Sequence, residues 1–510
     1  MQHLSSHAAG ISVRETLPEA RLFRGRDLRV SACSSDSRRL RPGDLFIALV
    51  GAERDGHDFA VHAVEQGAAA VLAERPLPLD VPVFVVDDTR EAYGRICQAL
   101  VGRPAQYLRV IGVTGSLGKT TTATLLAAAL EAAQQDAGLV TTLGCFDGLD
   151  SSPVGPSPTP PQWAESLARM AANGCSHAVL EVPSQALAQR RVAGIGFDAA
   201  VLTPLRGGRR EVDGLPTNAR TAAARLIERL NPGGFVVLHH DDAASRELLT
   251  QLDVPVITCG MNDGADVTAE VVERYLGEQT FLLSAGSDSI AVRTRMMGDH
   301  HVQNCLSAAA AMLALGYDLA TLVRGLESVV RLSGRLEPID CGQPFGVYVD
   351  AARSPDALVA ALRTLRQVTP GRVICVYGAQ GDCDRDMRPL LGRIVERHAA
   401  LGIITSDNPA GEAPLAIAHD ILDGYHRPHV AHVLPDRRAA IHFALSQAQS
   451  GDCVLIAGKG HENFQIIGES RHRCDDRIIA RRWLEQRNNE EEESRFSPRA
   501  ISRLFQGLQP

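Results

Sequence analysis

Short apolar runs alternate with longer amphipathic stretches through most of the chain. Runs that are rich in β-branched residues predict buried strands, and the amphipathic stretches between them predict helices. Because strands that alternate with helices form mostly parallel sheets, the pattern predicts an α/β fold. The predicted strands lie at residues 45–49, 70–72, 108–113, 177–182, 198–203, 345–350, 373–378, 402–405 and 454–457.

Breaks in this pattern divide the chain, whose 510 residues are enough for about three domains. We predict a small N-terminal α/β domain at 1–107, a central α/β domain with a mostly parallel sheet at 108–332, and a second doubly wound α/β domain at 333–486. A charged tail follows at 487–510. Its acidic block Glu490–Glu493 predicts disorder, with a short amphipathic helix as an alternative after it.

Composition narrows the classes of partner. A net charge of −8 with 22% charged residues does not favour nucleic acid or an acidic membrane surface over a small anionic ligand. The 11 cysteines form no C-x-x-C pair, which argues against a disulfide framework and a zinc cage. With no apolar segment long enough to cross a bilayer and no signal peptide pattern, we expect a cytoplasmic protein.

A phosphate-binding loop is the strongest motif. The loop 112–122 follows the predicted strand 108–113 and precedes a helical run that is rich in alanine and leucine. Glycines let backbone N–H groups surround phosphate oxygens, Lys119 can reach the terminal phosphates, and the Thr120 hydroxyl can bind Mg²⁺. The spacing departs from the common motif, because five residues, not four, separate Gly112 from Gly118. The alternative to a phosphate-binding loop is an ordinary glycine turn followed by a lysine at the protein surface.

Polar residues at other strand ends extend this prediction. Glu181 ends a predicted strand, where it is a candidate second Mg²⁺ ligand beside Thr120 or else a solvated acid. The segment 206–210 carries three arginines, which indicate either anion binding or a solvated loop. Two late clusters, 407–409 and 458–462, follow strands at the edge where α/β sheets bind ligands.

Together these motifs resemble the Mur ligases of peptidoglycan synthesis, in particular the branch that adds the third amino acid to UDP-N-acetylmuramoyl-L-alanyl-D-glutamate. The resemblance extends from Cys33 to Leu484 and is carried by residues 36–46, 112–122, 180–191 and 458–462. It implies three domains: an N-terminal domain for the UDP-linked substrate, a central P-loop ATPase, and a Rossmann-like C-terminal ligase domain. It also implies ATP with Mg²⁺, activation of a substrate carboxylate as an acyl phosphate, and attack by an amino acid.

The resemblance assigns roles to individual residues. For ATP it implies Gly115, Gly118, Lys119, Thr120, Thr121, Asn304, Arg335 and Asp382, with Thr120 and Glu181 on the metal and Lys119 and Glu181 in catalysis. For the muramoyl peptide and the amino acid it implies Ser37, Thr159, Ser184, Arg191, Asp407, Asn408, Gly458 and Glu462.

Several positions depart from the family pattern. Arg209 replaces a metal-binding histidine, Ala223 replaces a carbamylated lysine, and Arg353 replaces another histidine. Arginine cannot bind Mg²⁺ and alanine cannot carry a carbamate. We therefore hypothesise that Arg209, with Arg353, is catalytic by standing in electrostatically for a second Mg²⁺. The alternative is that these arginines are solvated in an inactive centre.

The sequence is compatible with two functions. The first is a working ligase that acts on a UDP-linked muramoyl peptide and an amino acid, without nucleic acid or membrane. The second is a catalytically impaired relative that binds ATP or precursor as a scaffold or regulator, with the tail contacting a protein partner. Ala410 follows Asp407, Asn408 and Pro409, where the diaminopimelate-adding branch has an arginine, so the resemblance favours L-lysine over meso-diaminopimelate.

Overall fold

The computed structural model describes residues 3–5, 10–51, 54–155, 157–205, 210–212, 215–381 and 383–495. Side chains are described throughout these ranges except at 3–5, 210–212, 215–217 and 489–495. The contacts divide the chain into two compact units. The first unit comprises 1–270, 282–292 and 302–328, and the second comprises 271–281, 293–301 and 329–510.

The first unit begins with a small mixed sheet. Its inner strands are parallel, and an antiparallel strand lies at each edge. In sheet order the strands are His3–Ser5, Ala32–Ser34, Leu45–Ile47, Ala70–Ala73, Val83–Val85 and Arg21–Arg24, and Ile11–Ser12 pairs separately with Arg29–Val30. The helices are Val13–Thr16, Ala60–Glu65 and Thr89–Leu100, with 3₁₀ turns at Ser37–Arg39, Gly56–Phe59 and Pro104–Tyr107.

A larger sheet occupies the rest of the first unit. Seven of its strands run parallel, which confirms the alternation read from the sequence. In sheet order they are Ala137–Thr141, His177–Glu181, Arg109–Thr114, Phe197–Leu202, Leu230–His239, Val256–Gly260 and Val267–Tyr275. Gly144–Phe146 and Ser151–Ser152 continue the sheet antiparallel from Ala137–Thr141, and Arg210–Val212 pairs with Leu215–Thr217. Helices cover Lys119–Ala132, Pro160–Ala172, Ser184–Ala188, Ala219–Ile227, Ala243–Leu249, Asp299–Ala314 and Leu319–Ser328.

Three long strands end this sheet: Val267–Tyr275, which pairs parallel to Val256–Gly260, and then Glu278–Ala285 and Asp288–Thr294. Their residues are divided between the two units. We did not predict them from the sequence, because buried and exposed positions alternate along them instead of forming uniformly apolar runs.

The second unit is built on a further mostly parallel sheet. In sheet order the strands are Glu337–Pro338, Gly346–Asp350, Cys453–Ala457, Val373–Tyr377, Leu401–Ile404 and His432–Val433, and Phe464–Ile467 pairs with Ser470–Arg473. The helices are Pro355–Val368, Met387–His398, Pro414–Leu422, Arg437–Gln447 and Asp476–Arg495, with a 3₁₀ turn at Pro428–Val430. Apolar side chains fill both faces of this sheet.

Local signals explain where several helices begin. Ser354 accepts a hydrogen bond from the Ala357 N–H, and Pro355 occupies the first turn, where its missing N–H costs nothing. Thr159 and Gln162 form a capping box before the helix Pro160–Ala172. Such caps fix a helix start relative to the strand before it, and so fix the side chains that lie at the strand ends.

The charged tail differs from its prediction. The acidic block Glu490–Glu493 lies within the helix Asp476–Arg495, so the prediction of disorder there is wrong. The helix is anchored at its start, where Asp476 is fully buried against Arg437, and it continues into the acidic block. Residues 496–510, where a short helix was the alternative, lie outside the described residues. In the described part of the chain, no helix is long and apolar enough to span a membrane.

Candidate functional site

The phosphate loop has the predicted strand before it and the predicted helix after it. The strand is Arg109–Thr114 and the helix begins at Lys119. Both loop glycines are needed, because Gly115 has a φ of +139° and Gly118 a φ of +83°. A Cβ on Gly118 would lie 2.0 Å from the Asn304 amide oxygen. The loop therefore packs directly against the residue that the sequence assigns to ATP.

Lys119 bends back over the loop. Its ammonium donates to the Gly115 carbonyl at 2.9 Å and to the Ser116 carbonyl at 3.4 Å. The lysine charge is thereby held at the mouth of the loop, where phosphate oxygens bind in this architecture. Thr121, assigned to ATP from the sequence, is buried in the first turn of the same helix.

The two predicted metal ligands are in contact. The Thr120 hydroxyl donates to the Glu181 carboxylate at 2.9 Å, and the Thr142 N–H donates to the same oxygen at 3.0 Å. The two hydroxyls of Thr120 and Thr142 are 3.2 Å apart. Thr120 and Glu181 are both buried, and hydroxyl and carboxylate oxygens are the donors that Mg²⁺ prefers. The arrangement fits a magnesium ion that is bound jointly with nucleotide phosphates.

A cavity in the first unit contains predicted substrate residues. One part has a volume of about 510 Å³ and is lined by Ser35, Asp36, Ser37, Arg38, Phe46, Arg54, Gly56, Phe59 and His62. A second part of about 340 Å³ shares Ser35, Arg54, Gly56 and Phe59, and is also lined by Leu49, Val50, Gly51, Arg90, Tyr93, Thr159, Pro160, Gln189 and Arg191. The fold thus brings Ser37 to the first part and Thr159 and Arg191 to the second, which shares four lining residues with the first.

The chemistry of this cavity suits an anionic ligand with a flat ring. Arg54, Arg90 and Arg191 supply guanidinium groups, while Phe46 and Phe59 supply aromatic faces. Arg191 is held by the Ser157 carbonyl at 2.6 Å. Ser184, also assigned to substrate, begins the helix Ser184–Ala188 just after the strand that ends at Glu181.

The second unit gathers charged residues at the carboxyl ends of three parallel strands. We name Arg353, Asp407, Asn408, Gly458, Lys459 and Glu462 the strand-end cluster. Glu462 accepts hydrogen bonds from Arg353 and, at 3.1 Å, from Asn408. The four predicted substrate residues of this unit therefore lie in one group, together with Arg353 and Lys459.

Burial sets the protonation behaviour of this cluster. Burial raises the pKa of Asp407, although Arg353, Arg437 and Lys459 oppose the shift. Burial lowers the pKa of Lys459, against the opposing effect of nearby acids. The pKa of Glu462 is lowered, because the cations of Arg353 and Lys459 and the Asn408 hydrogen bond together outweigh its burial.

Three models of protein families match the chain. Residues 29–100 match the "Mur ligase family, catalytic domain", residues 113–312 the "Mur ligase middle domain", and residues 334–460 the "Mur ligase, glutamate ligase domain". A UDP-N-acetylmuramoyl-L-alanyl-D-glutamate–2,6-diaminopimelate ligase of Geobacillus thermodenitrificans is 40% identical over 479 residues, 92% of this chain and 98% of that protein. The chain belongs to the Mur ligase family. The resemblance inferred from the sequence is thereby confirmed.

Solved structures agree with this assignment. A structure of a UDP-N-acetylmuramoyl-L-alanyl-D-glutamate–2,6-diaminopimelate ligase has a TM-score of 0.64 and 29% identity, covering 94% of this chain and all of that one. The MurF ligase of Thermotoga maritima, solved with ADP, has a TM-score of 0.61 at 19% identity, covering 89% of this chain and 98% of that one, and shows the fold alone. The Mur ligase three-domain α/β architecture is confirmed, while the domain boundaries given above stay predictions.

Some residues that departed from the Mur ligase pattern can now be placed. Ala223 is fully buried in the helix Ala219–Ile227. Arg353 binds Glu462 and the Gly458 carbonyl, so the structure places it in the strand-end cluster. Arg206, Arg209 and Asp382 lie outside the described residues, as does the Arg210 side chain. The hypothesis that Arg209 replaces a second magnesium therefore stays a prediction.

The remaining residues that the sequence assigned to ATP lie in different units. Asn304 is buried in the first unit, and its amide oxygen is 3.5 Å from the Thr122 hydroxyl. Arg335 lies in the second unit, where its cation opposes the burial that raises the pKa of Asp350. Arg388, in the same unit, is fully buried in ion pairs with Glu412 and Asp420.

Sequence reasoning missed two groups that the structure adds to the site. Thr142 joins Thr120 and Glu181, and its signal was the Thr141-Thr142 pair just after an apolar run. Lys459 is fully buried in the strand-end cluster, where it donates to the Asn408 side chain at 3.3 Å and to the Phe464 carbonyl. The sequence placed Lys459 only within the cluster 458–462 and gave it no individual role, since a lysine between two glycines is typically exposed.

Proposed function

We propose that this Mur ligase is an ATP-dependent enzyme that adds the third amino acid to UDP-N-acetylmuramoyl-L-alanyl-D-glutamate during synthesis of the peptidoglycan precursor. The observation that carries the proposal is the contact between Thr120 and Glu181 beside an intact phosphate loop. The adjoining cavities support it, the first lined by Ser37 and the second by Thr159 and Arg191, as do relatives named for this reaction.

The proposed reaction balances in two steps. The substrate's glutamyl carboxylate attacks the γ-phosphorus of ATP, the bond to ADP breaks, and an acyl phosphate forms. The amine of the incoming amino acid then attacks the acyl carbon, phosphate leaves, and the amine loses a proton as the amide forms. Lys119 is placed to neutralise charge on the phosphates. Magnesium, bound by Thr120 and Glu181, would supply further positive charge there.

A second candidate is binding without turnover. The observation that favours it is Ala223, a buried methyl group where the family has a carbamylated lysine. Losing one group that stabilises transition-state charge costs roughly 3–4 kcal/mol, or a factor of about 100 to 1,000 in rate. Such a protein would bind ATP and precursor but would release phosphate very slowly.

Phosphate release distinguishes the two candidates. The full chain should be incubated with ATP, Mg²⁺ and UDP-N-acetylmuramoyl-L-alanyl-D-glutamate, with either meso-diaminopimelate or L-lysine. A ligase releases one phosphate for each tripeptide formed, and mass spectrometry detects the tripeptide. Omitting the dipeptide substrate is the control and should stop the release. ATP binding with neither phosphate nor tripeptide would establish the binding protein instead.

A further inference from the structure

His57 lies at the centre of a hydrogen-bond network beside the cavity of the first unit. Its imidazole is 0% exposed, and it lines neither part of the cavity. Its Nδ1 lies 2.5 Å from an Asp55 carboxylate oxygen that also accepts the His57 N–H at 3.0 Å, and its Nε2 accepts the Glu74 N–H at 2.9 Å. The ring therefore joins the segment 54–59 to the residue that follows the strand Ala70–Ala73.

These partners fix the tautomer of the His57 ring. A backbone N–H can only donate, so Nε2 must carry a lone pair, and a neutral imidazole then has its proton on Nδ1. Burial would raise the pKa of Asp55, but hydrogen bonds from His57 and Arg75 lower it to about 2. Asp55 is therefore ionised and accepts the Nδ1–H, so the ring makes all of its hydrogen bonds in a single orientation.

The network continues from Glu74 to the helix Thr89–Leu100. One Glu74 carboxylate oxygen accepts hydrogen bonds from the Thr89 N–H at 3.0 Å and from the Thr89 hydroxyl at 2.8 Å. Glu74 thus fixes the first residue of the helix, while its own N–H is held by His57. We name Asp55, His57, Glu74 and Thr89 the loop-helix network.

The two elements that this network joins carry cations of the second part of the cavity. Arg54 and Phe59 come from the segment 54–59, while Arg90 and Tyr93 come from the helix. Two guanidinium groups beside one cavity repel each other when no anion lies between them. A fixed spacing of the two elements keeps both cations available to one ligand, which lowers the ordering cost of binding.

A second route connects Asp55 to the same helix. Asp55 pairs with Val50 in an antiparallel bridge, and the Val50 carbonyl accepts a hydrogen bond from Arg90 at 2.5 Å. Gly56 allows this close packing, since a Cβ there would lie 2.5 Å from the Leu49 carbonyl oxygen. Displacing Asp55 would therefore disturb Arg90 as well as the neighbouring Arg54.

We propose that His57 is a positioning residue for the UDP-linked substrate: without touching the ligand, it holds Arg54 and Arg90 at the spacing that the anionic part of the substrate requires. This role rests on the proposed function, which assigns the UDP-linked substrate to the cavity. A histidine that only filled the core would affect stability alone. A positioning residue changes the affinity for one substrate and leaves the affinity for ATP, whose proposed site is the phosphate loop, as it was.

The test compares His57→Ala and His57→Gln with the wild type. In His57→Ala the KM for UDP-N-acetylmuramoyl-L-alanyl-D-glutamate should rise about 10-fold, with kcat and the KM for ATP within about twofold of the wild type. His57→Gln keeps an acceptor for the Glu74 N–H and a donor for Asp55, so its KM should lie within about threefold of the wild type. Equal KM values in the wild type and His57→Ala would overturn the role.

His177→Ala is the matched control. His177 is a buried histidine of the same unit that contacts the Ser176 hydroxyl and lines neither part of the cavity. Its replacement removes a similarly buried ring, so it should lower the unfolding temperature without changing either KM. The same rise in KM for both alanine variants would reveal a general effect of stability and overturn the role. If His57→Ala does not fold, Thr89→Val carries the comparison, because it removes only a hydroxyl at the other end of the loop-helix network and should raise the same KM about threefold.

A double-mutant cycle shows whether His57 acts through Arg54. Added to Arg54→Ala, the change His57→Ala should raise the KM for the UDP-linked dipeptide by less than about threefold, since the arginine that it positions is already gone. Independent effects would multiply, and a full 10-fold rise in both backgrounds would contradict positioning of Arg54.

Calorimetry separates the positioning role from the proposed function. The UDP-linked dipeptide is titrated into the full chain of each variant in the presence of a non-hydrolysable ATP analogue. Binding that depends on His57 but is never followed by turnover would uphold the positioning role and remove the ligase function. Equal binding by the wild type and His57→Ala, both of which form tripeptide, would overturn the positioning role and keep the ligase.

Discussion

Replacing Gly118 by alanine should damage the phosphate loop in two separable ways. The residue has a φ of +83°, which costs an L-residue about 1–2 kcal/mol. In addition, the new Cβ would lie 2.0 Å from the Asn304 amide oxygen. Asn304 is only 3% exposed, so its amide cannot move out into solvent. Overpacking of this kind costs about 1–3 kcal/mol, which brings the expected loss of stability to about 2–5 kcal/mol.

Gly102 provides a matched control for the backbone cost alone. Its φ is +82°, almost the same as that of Gly118, but a Cβ there would meet no atom within 4 Å. Gly102→Ala should therefore lose only about 1–2 kcal/mol and bind ATP like the wild type. Gly118→Ala should bind ATP at least about 10-fold more weakly, since the shifted loop misplaces phosphate donors.

Urea unfolding and ATP calorimetry measure the two effects. The stability difference between the two alanine variants isolates the contact with Asn304, because the backbone term is common to both. If both variants unfold at the same urea concentration and bind ATP equally well, the close packing of the phosphate loop against Asn304 has no energetic role. The assignment of Asn304 to the nucleotide would then lose its support.

Three further substitutions test the charged and titratable groups. Lys119→Ala should lower the ATP affinity about 10- to 100-fold by calorimetry, and an unchanged affinity would refute the phosphate role of the lysine. Glu181→Gln keeps an acceptor for the Thr120 hydroxyl but should remove most of the Mg²⁺-dependent gain in ATP affinity, while affinity in EDTA stays as in the wild type. Burial, assisted by His300 and Arg335, holds the pKa of His301 well below its ordinary value, so the unfolded chain binds the proton first as pH falls below about 6.5. Stability should therefore be fully present above that pH and decrease below it, and the decrease should be smaller in His301→Gln; equal slopes in the two proteins would contradict this.

Local patterns in the sequence determined much of the fold correctly. The strand predicted at 108–113 is Arg109–Thr114, and the helix after it begins at Lys119, the residue that follows the loop glycine. These features depend on neighbours in the chain: apolar residues that bury a strand, and glycines that permit the turn. For the same reason the contact of Thr120 with Glu181 could be anticipated, since parallel strands end at one edge of a sheet.

Patterns of neighbouring residues could not predict contacts between residues that lie far apart in the sequence. Arg353 pairs with a glutamate 109 positions later, and no pattern of neighbouring residues indicated that contact. The acidic block at 490–493 is a second case in which the local pattern gave the wrong prediction. Its composition predicts disorder, but the helix it continues is anchored by the buried pair of Arg437 and Asp476.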